Sequence, residues 1–197
     1  DGNWEVTNYY GFNEKANTIY YQSVENGSIN RDVYSIKLNG KNKNRLTKTD
    51  GTNSASFSAD FTYFINTHSI ATTPPEYTLN DSKSGNVVKG IKDNDRLVQK
   101  VGNFVTSKKE FSTINVNGND LNMWMIKPAN FDPSKKYPLI FYVYGEPAGS
   151  TVQDGWQGGD LWHHYLSQEG FVVVSIDNRG TKTPRGRDFR KSIYGQI

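Results

Sequence analysis

The chain has 197 residues, a formal net charge of +3 at pH 7 and no cysteine. Its 23 lysine and arginine residues are scattered along the sequence, which argues against a nucleic-acid-binding face. The absence of cysteine excludes a disulfide scaffold and a thiolate metal site. No apolar run approaches the roughly 20 residues of a membrane-spanning helix. We therefore expect neither a nucleic acid partner nor a membrane span in this chain.

Two similar stretches open the chain. Aromatic and β-branched residues recur between them at offsets of 43 to 45 residues, and the recurring pairs are Phe12 and Phe57, Thr18 and Thr62, and Tyr34 and Tyr77. A repeat of this length, built of three or four short strands separated by turn residues, is typical of β-propeller blades. The alternative is a β-sandwich whose hairpins are similar by chance. We therefore predict propeller blades over residues 1–105, too few to close a ring.

The aromatic residues of these stretches are expected to pack between blades. They are Tyr20, Tyr21, Tyr34, Tyr63, Phe64 and Tyr77. His68 stands alone, because no second histidine and no cluster of carboxylates lies near it in the sequence. We therefore assign no metal site and no cofactor to the chain.

The pattern changes after a polar, charged stretch over residues 81–109, which we interpret as a domain boundary. Residues 110–126 predict a hairpin that turns at Asn117-Gly118-Asn119. Residues 138–144 predict a strand that is apolar on both faces. Such a strand is typical of a sheet covered by helices on both sides.

A helix is predicted next, with Asp160 as its N-cap and Gly170 as its C-terminal cap. Its expected buried face carries apolar side chains, namely Leu161, Trp162, Tyr165 and Leu166. Residues 171–177 predict a second buried strand, and a third helical piece is expected near Pro184. Strand, helix and strand in this order form a βαβ unit, so residues 106–197 are predicted to be α/β with a right-handed crossover.

Five short motifs carry a family resemblance that extends over essentially the whole chain. They are Trp4-Glu5-Val6, Asp32-Val33-Tyr34-Ser35-Ile36, Lys135-Lys136-Tyr137-Pro138-Leu139, Val143-Tyr144-Gly145-Glu146-Pro147 and Asp177-Asn178-Arg179-Gly180-Thr181. Together they closely resemble the dipeptidyl peptidase IV branch of the prolyl oligopeptidase family of serine peptidases. The resemblance implies the last blades of a β-propeller over residues 1–105 and the N-terminal part of an α/β-hydrolase domain over residues 106–197, with both domains incomplete.

Tyr144 is the residue to which the resemblance gives a catalytic role. By its place in the motif it resembles the family's oxyanion-hole tyrosine. A tyrosine hydroxyl suits this role, because it stays protonated at neutral pH and can donate to the charge that develops on the scissile carbonyl oxygen. Gly145 and Pro147 are expected to shape the loop. Glu146, where many relatives carry glycine, and Arg179, which follows a buried strand, are further candidates for substrate contact. We expect Glu146 to be solvated and Arg179 to hold its own loop.

Most of the catalytic machinery of this family is missing from the sequence. A nucleophile elbow has the pattern G-x-S-x-G, and no serine of the chain has glycine at both flanking positions. The nucleophile, the acid, the base and the glutamate pair that binds the substrate amine are expected elsewhere in a longer protein, and a start without Met agrees with this. His163 and His164 are interpreted as helix residues with no acidic partner nearby in sequence.

We therefore expect a fragment of a serine exopeptidase that releases N-terminal X-Pro or X-Ala dipeptides through an acyl-enzyme, and we expect the fragment alone to be inactive. The main alternative is a non-catalytic β module that binds a peptide or a glycan and carries a degenerate hydrolase appendage. A relative of acylaminoacyl peptidases or oligopeptidases is a further alternative. The resemblance implies a peptide substrate for the parent enzyme, leaves a homodimer open, and implies a periplasmic, secreted or cell-surface location.

Overall fold

The computed structural model describes residues 4–105, 107–144, 146–147 and 149–195. Two four-stranded antiparallel sheets follow each other along the chain, and the strands of each sheet are arranged in sequence order. The first sheet contains β1 (Val6–Asn13), β2 (Thr18–Ser23), β3 (Asp32–Lys37) and β4 (Asn44–Arg45). The second contains β5 (Thr52–Phe57), β6 (Tyr63–Ile70), β7 (Thr73–Asp81) and β8 (Val87–Lys92). The predicted repeat therefore corresponds to two sheets of the same topology.

The first two sheets share one apolar core. Its buried members are Tyr20, Val33, Leu46 and Phe64. The rings of Tyr20 and Phe57 approach to 4.6 Å across the gap between the sheets, and such tilted aromatic pairs pack favourably. Tyr21 and Tyr34 are also buried and stack on each other at 5.6 Å. Tyr63 is 42% exposed, so the prediction that it packs between blades is wrong.

The polar stretch over residues 81–109 contains regular structure that the sequence pattern does not indicate. Strand β8 occupies part of it, and α1 (Asp95–Gly102) follows. The helix begins after Asn94, whose left-handed backbone (φ 57°) turns the chain and whose amide donates to the carbonyl of Pro75. Only Val101 of the helix is buried, which explains why hydrophobic periodicity is a weak signal here.

A third sheet of mixed topology has the strand order β11-β12-β10-β9. Its strands are β9 (Lys109–Val116), β10 (Asn119–Ile126), β11 (Leu139–Phe141) and β12 (Val172–Ile176), and the helices beside them are α2 (Asp160–Gln168) and α3 (Arg187–Lys191). The predicted hairpin is confirmed, and its turn residues Asn117 and Gly118 have φ values of 51° and 78°, as a type I′ turn requires. The predicted parallel pair is also confirmed, with α2 between β11 and β12 along the chain.

Strand β11 differs from its prediction in length and in burial. It is regular over only 3 residues, and Phe141 is 55% exposed. Ile140 packs against the core that contains Trp124 and Ile126, whereas Leu139 and Phe141 lie on the opposite, open face. Among the residues that the structure describes, only the face of β11 that carries Ile140 is covered.

Helix α2 buries a mainly polar face, although Leu166 of the predicted apolar face does pack against the core. Asp160 is the first residue of the helix and not its N-cap, which is Gly159. Trp162, predicted to be buried, is 61% exposed. Gly170 closes the helix as predicted, because its N–H and that of the next residue donate to carbonyls of the last turn. The buried residues of α2 are Asp160, His163, His164 and Ser167.

A buried ion pair explains why the polar side of α2 faces inward. Nζ of Lys109 on β9 lies 2.7 Å from Oδ2 of Asp160 and 4.5 Å from the centre of the Trp124 ring. Nδ1 of His163 lies 3.3 Å from Oδ1 of Asp160. Burial raises the pKa of the Asp160 carboxyl, but His163 and Lys109 lower it by more, so the pKa lies below its ordinary value. The ionised carboxylate therefore attaches α2 to β9.

We expect Asp160→Asn to lower the free energy of unfolding by about 3–5 kcal/mol at neutral pH, because Lys109 would stay buried without a counter-charge. The carboxylate stabilises the folded state above its ordinary pKa, and this contribution is lost as the pH falls through the lowered pKa of the folded state. The difference between wild type and variant should therefore narrow in acid. Urea unfolding midpoints in a pH series from neutral to strongly acidic measure both effects.

The matched control is Asp188→Asn, which removes an exposed carboxylate from the first turn of α3. It should leave the midpoint almost unchanged. Equal midpoints for Asp160→Asn and Asp188→Asn at neutral pH would contradict the prediction.

Candidate functional site

The loop after β11 carries Tyr144, whose ring lies half-exposed against the backbone of Gly149. A Cβ atom at position 149 would overlap this ring, so a larger residue there would displace the Tyr144 side chain. The N–H of Gly149 donates to the carbonyl of Glu146 (3.2 Å), and its own carbonyl accepts from the N–H of Lys182 (3.1 Å). Tyr144 therefore rests on a hydrogen-bonded turn. The predicted role of Gly145 falls outside the described residues.

The carboxylate of Asp177, directly after β12, binds the segment that follows this turn. Its Oδ1 accepts from the N–H (2.7 Å) and the hydroxyl (3.1 Å) of Thr151. Its Oδ2 accepts from the N–H of Val152 (3.2 Å) and the hydroxyl of Thr183 (2.6 Å). A buried carboxylate is costly unless such donors satisfy it. Asp177 thus ties the segment after the Tyr144 loop to the segment after β12.

Asp154, two residues beyond Val152, joins this segment to the first two sheets. Its N–H donates to the carbonyl of Ile29 (2.9 Å), in the turn between β2 and β3. Its Oδ1 accepts from the N–H of Ala71 (2.8 Å), in the turn between β6 and β7, and its carbonyl accepts from the hydroxyl of Thr52 (2.7 Å). The segment that follows the Tyr144 loop is therefore held by both halves of the chain.

The two further candidates for substrate contact lie apart. The side chain of Glu146 is exposed and forms no hydrogen bond or ion pair with the residues that the structure describes. Arg179 lines a cleft of about 290 Å³ between the β9–β10 turn and Ile193, and Tyr144 does not line it. Arg179 and Tyr144 are therefore not brought into one cavity. The roles of Tyr144, Glu146 and Arg179 stay predictions.

The two histidines of α2 belong to the buried charge cluster. The expectation that they have no acidic partner is wrong for His163, because Asp160 lies one helical turn before it. The His163 ring packs 4.7 Å from the Tyr142 ring and 5.0 Å from the Trp124 ring. Burial lowers the pKa of His164, which keeps this residue neutral at pH 7. These surroundings agree with a structural interpretation of both histidines.

His68 uses both of its ring nitrogens within the second sheet and its flanking turn. Nδ1 lies 3.0 Å from Oε1 of Glu76, and Nε2 lies 2.8 Å from the carbonyl oxygen of Asp50. Across the described ranges, no group of three or more His, Cys, Asp or Glu side chains has the arrangement of a metal site. No helix in the same ranges is long and apolar enough to cross a bilayer.

Two neighbouring sheets of identical strand order that share an aromatic core have the arrangement of adjacent β-propeller blades. The third sheet contacts the turns at one end of these blades. It presents Tyr144 beyond the carboxyl end of a parallel strand pair, which is where sheets with parallel strands commonly bind ligands. The fold therefore defines a protein of propeller-type blades joined to a mixed sheet.

Comparison with known sequences agrees with this class. Residues 1–75 match the family model described as the dipeptidyl peptidase IV (DPP IV) N-terminal region. A dipeptidyl peptidase 4 of Arthroderma otae is 33% identical over 100% of the chain, which spans 26% of that relative. A probable dipeptidyl-aminopeptidase B of Sclerotinia sclerotiorum is 32% identical over 100% of the chain, which spans 22% of it.

Solved structures are similar over the same length. The crystal structure of Porphyromonas gingivalis dipeptidyl peptidase 4 matches 100% of the chain with a TM-score of 0.92 and 38% identity, and the chain covers 28% of it. A putative dipeptidyl aminopeptidase IV from Bacteroides ovatus matches 98% of the chain with a TM-score of 0.83 and 31% identity, and the chain covers 27% of it. The chain is thus related to the dipeptidyl peptidase IV family over its whole length. The resemblance predicted from the sequence is confirmed.

Sequence reasoning missed the polar residues that hold the Tyr144 loop and those that attach helix α2 to β9. The motif around Asp177 indicates the family, but the donors to its carboxylate come from residues 26, 25 and 6 positions away, so no local pattern reveals its role. Lys109 and Asp160 are 51 positions apart and are equally invisible to local patterns. Gly149 carries the one usable signal, since a glycine in a loop marks a turn or a close approach.

We expect Asp177→Asn to loosen the segment after the Tyr144 loop. The groups around this carboxylate are all donors, and the NH₂ group of asparagine, which is also a donor, could not accept from them. The backbone amides of Thr151 and Val152 should exchange with deuterium about tenfold faster or more. The free energy of unfolding should fall by about 2 kcal/mol or more. Asp95→Asn, in the exposed first turn of α1, is the matched control. Unchanged exchange at both amides would contradict this role of Asp177.

Proposed function

We propose that the chain is part of a serine exopeptidase that releases N-terminal X-Pro or X-Ala dipeptides through an acyl-enzyme intermediate. The observation that carries this proposal is the match of 100% of the chain to Porphyromonas gingivalis dipeptidyl peptidase 4, at a TM-score of 0.92 and 38% identity. The preference for proline or alanine in the second position rests on the family alone. A peptide substrate would bind the longer protein, since the chain covers only 28% of that relative.

Within this proposal, residues 1–105 are the last blades of a propeller and residues 106–197 are the N-terminal part of an α/β-hydrolase domain. The parallel strands β11 and β12 with α2 between them support the second assignment, because α/β domains are built from such units. The exposed face of β11 supports it as well, because strands of a parallel sheet are normally covered on both faces.

Tyr144 is the proposed oxyanion donor. Its hydroxyl would donate to the substrate carbonyl oxygen while a serine elsewhere in the longer protein attacks the carbonyl carbon. A donor lowers the barrier most when it is held in place before charge develops. The contact with Gly149 and the hydrogen bonds from the next segment to Asp177 support such a preset position. We assign no catalytic role to Glu146 or Arg179.

Tyr144→Phe in the complete enzyme removes one hydroxyl and keeps the shape of the ring. We expect kcat for a chromogenic X-Pro substrate to fall by about 10² to 10³, with a change in KM of less than about threefold, because the hydrogen bond forms mainly in the transition state. Tyr165→Phe, on the exposed side of α2, is the matched control and should leave both constants unchanged. A kcat equal to that of wild type would refute the role of Tyr144 without removing the family assignment.

The 197-residue chain alone is expected to hydrolyse no X-Pro substrate and to react with no fluorophosphonate, since none of its serines has the nucleophile-elbow pattern. The longer natural polypeptide that contains it should do both. Stoichiometric labelling of the isolated chain would contradict the prediction that it lacks the nucleophile. Failure of the longer polypeptide in both assays would favour the non-catalytic binding module.

A further inference from the structure

A cavity of about 710 Å³ lies between the first two sheets and is named here the inter-sheet cavity. It is bordered by the turns that join β1 to β2, β5 to β6 and β7 to β8, and by residues near β4. The turns that contact the third sheet, around Ile29 and Ala71, join the opposite ends of these strands. The cavity is therefore remote from Tyr144, and the proposed peptidase activity makes no use of it.

Hydroxyl groups of three buried residues line the inter-sheet cavity. Tyr20 on β2 and Ser35 on β3 are directly opposed in the strand register, and Ser82 follows β7. The hydroxyl of Ser82 is buried without a hydrogen-bond partner among the residues that the structure describes, whereas Tyr20 and Ser35, which are 5% and 7% exposed, line the cavity beside it. A buried polar group is nearly always hydrogen-bonded, so the Ser82 hydroxyl points to a ligand that bonds to it and to the hydroxyls of Tyr20 and Ser35 nearby.

One wall of the inter-sheet cavity is aromatic. The Phe61 ring stacks on the Tyr20 ring at 5.2 Å with an angle of 7° between the planes. Phe61 has a left-handed backbone (φ 57°), which is rare for a bulky side chain. The Asp60 carboxylate maintains this turn, because it accepts from the N–H of Thr62 (3.0 Å) and from the hydroxyl of Ser58 (2.7 Å). The Phe61 ring is thus held in place by its own turn.

The charged groups around the inter-sheet cavity select neither an anion nor a cation. The ammonium of Lys37 donates to the carbonyl of Ala16 within the first sheet. Lys37 and Lys83 contribute two positive charges to the lining, and Asp81 contributes one negative charge. Asn44 adds an amide, whose N–H donates to the carbonyl of Lys83 (3.3 Å) and whose own carbonyl remains available. The lining therefore carries charges of both signs beside its neutral polar groups, instead of a cluster of one sign that would attract an ion.

We propose that the inter-sheet cavity binds an uncharged saccharide. Hydroxyl groups donate and accept, so Tyr20, Ser35 and Ser82 complement the hydroxyls of a sugar. Burial and the charge of Asp81 raise the pKa of Tyr20, which keeps its hydroxyl a donor. The aromatic wall complements the C–H face of a sugar ring. The volume of about 710 Å³ falls within the range of small-molecule sites and accommodates a disaccharide.

A free disaccharide and the terminal sugars of a glycoprotein offer the same chemistry, and two arms of one experiment distinguish them. The protein used is the longest natural polypeptide that contains this chain. Saturation-transfer NMR with maltose, cellobiose, lactose and N,N′-diacetylchitobiose tests free sugars. Retention of ribonuclease B but not of ribonuclease A, which has the same polypeptide without the glycan, tests a protein-linked glycan. We expect binding in at least one arm.

Tyr20→Phe keeps the ring against Phe61 and removes its hydroxyl, and Ser35→Ala removes the opposing hydroxyl. Each is expected to raise the Kd about tenfold, the effect of one lost hydrogen bond to a ligand. Tyr9→Phe, on the exposed side of β1, is the matched control and should leave the Kd unchanged. Weaker binding in either variant with an unchanged control supports the site. Absence of binding in both arms, or binding that neither substitution weakens, overturns it.

Discussion

The loops of the third sheet depend on one buried carboxylate, that of Asp177. An ionised group inside a protein needs several donors, and this one takes two backbone N–H groups and two hydroxyls from Thr151, Val152 and Thr183. Because two of these donors are backbone groups, the carboxylate determines the path of the main chain. That path leads back to Gly149, on which the Tyr144 ring rests. The position of Tyr144 therefore follows from a charge more than 30 residues later in the chain.

The blades contribute to the same arrangement from the other side. Asp154 binds Ile29, Thr52 and Ala71, so one residue contacts turns of both blades. The carboxylate of Glu5, just before β1, likewise accepts from groups at both ends of α3. These polar links all lie at the end of the blades that faces the third sheet. A shift between adjacent blades would consequently be transmitted to the segment beside Tyr144, so the blades help to set the geometry of the proposed site.

Features that depend on neighbours in sequence were predictable. The Asn117-Gly118 turn follows from the backbone conformations that a short hairpin loop demands, and the cap at Gly170 follows from the end of one helix. The inward face of α2 was not predictable, because an apolar pattern takes no account of the Lys109–Asp160 pair, whose members are 51 positions apart. Three of the four apolar residues predicted to be buried, Leu161, Trp162 and Tyr165, are therefore exposed.

In the candidate site, too, the features set by neighbours in sequence were predictable and those set by distant residues were not. Tyr144 is recognisable from its loop motif, and the carboxyl end of a parallel pair is where sheet topology places it. The residues that hold the loop are polar and distant in sequence, and only the folded chain brings them together. Strand β11 illustrates a further reason why a prediction from sequence can differ from the structure. Its apolar sequence predicts cover on both faces, but burial depends on elements that the described residues do not include.

The two ends of the blades differ because an antiparallel sheet in sequence order places its turns alternately at opposite ends. Turns at one end are used to bind the third sheet, which leaves the other end free. The inter-sheet cavity lies at this other end, beside Tyr20 and Phe61 of the shared core. Large apolar side chains would fill that space if packing were its only requirement. The chain instead has small hydroxyl residues there, Ser35 and Ser82 beside Tyr20, and packing alone provides no reason for them.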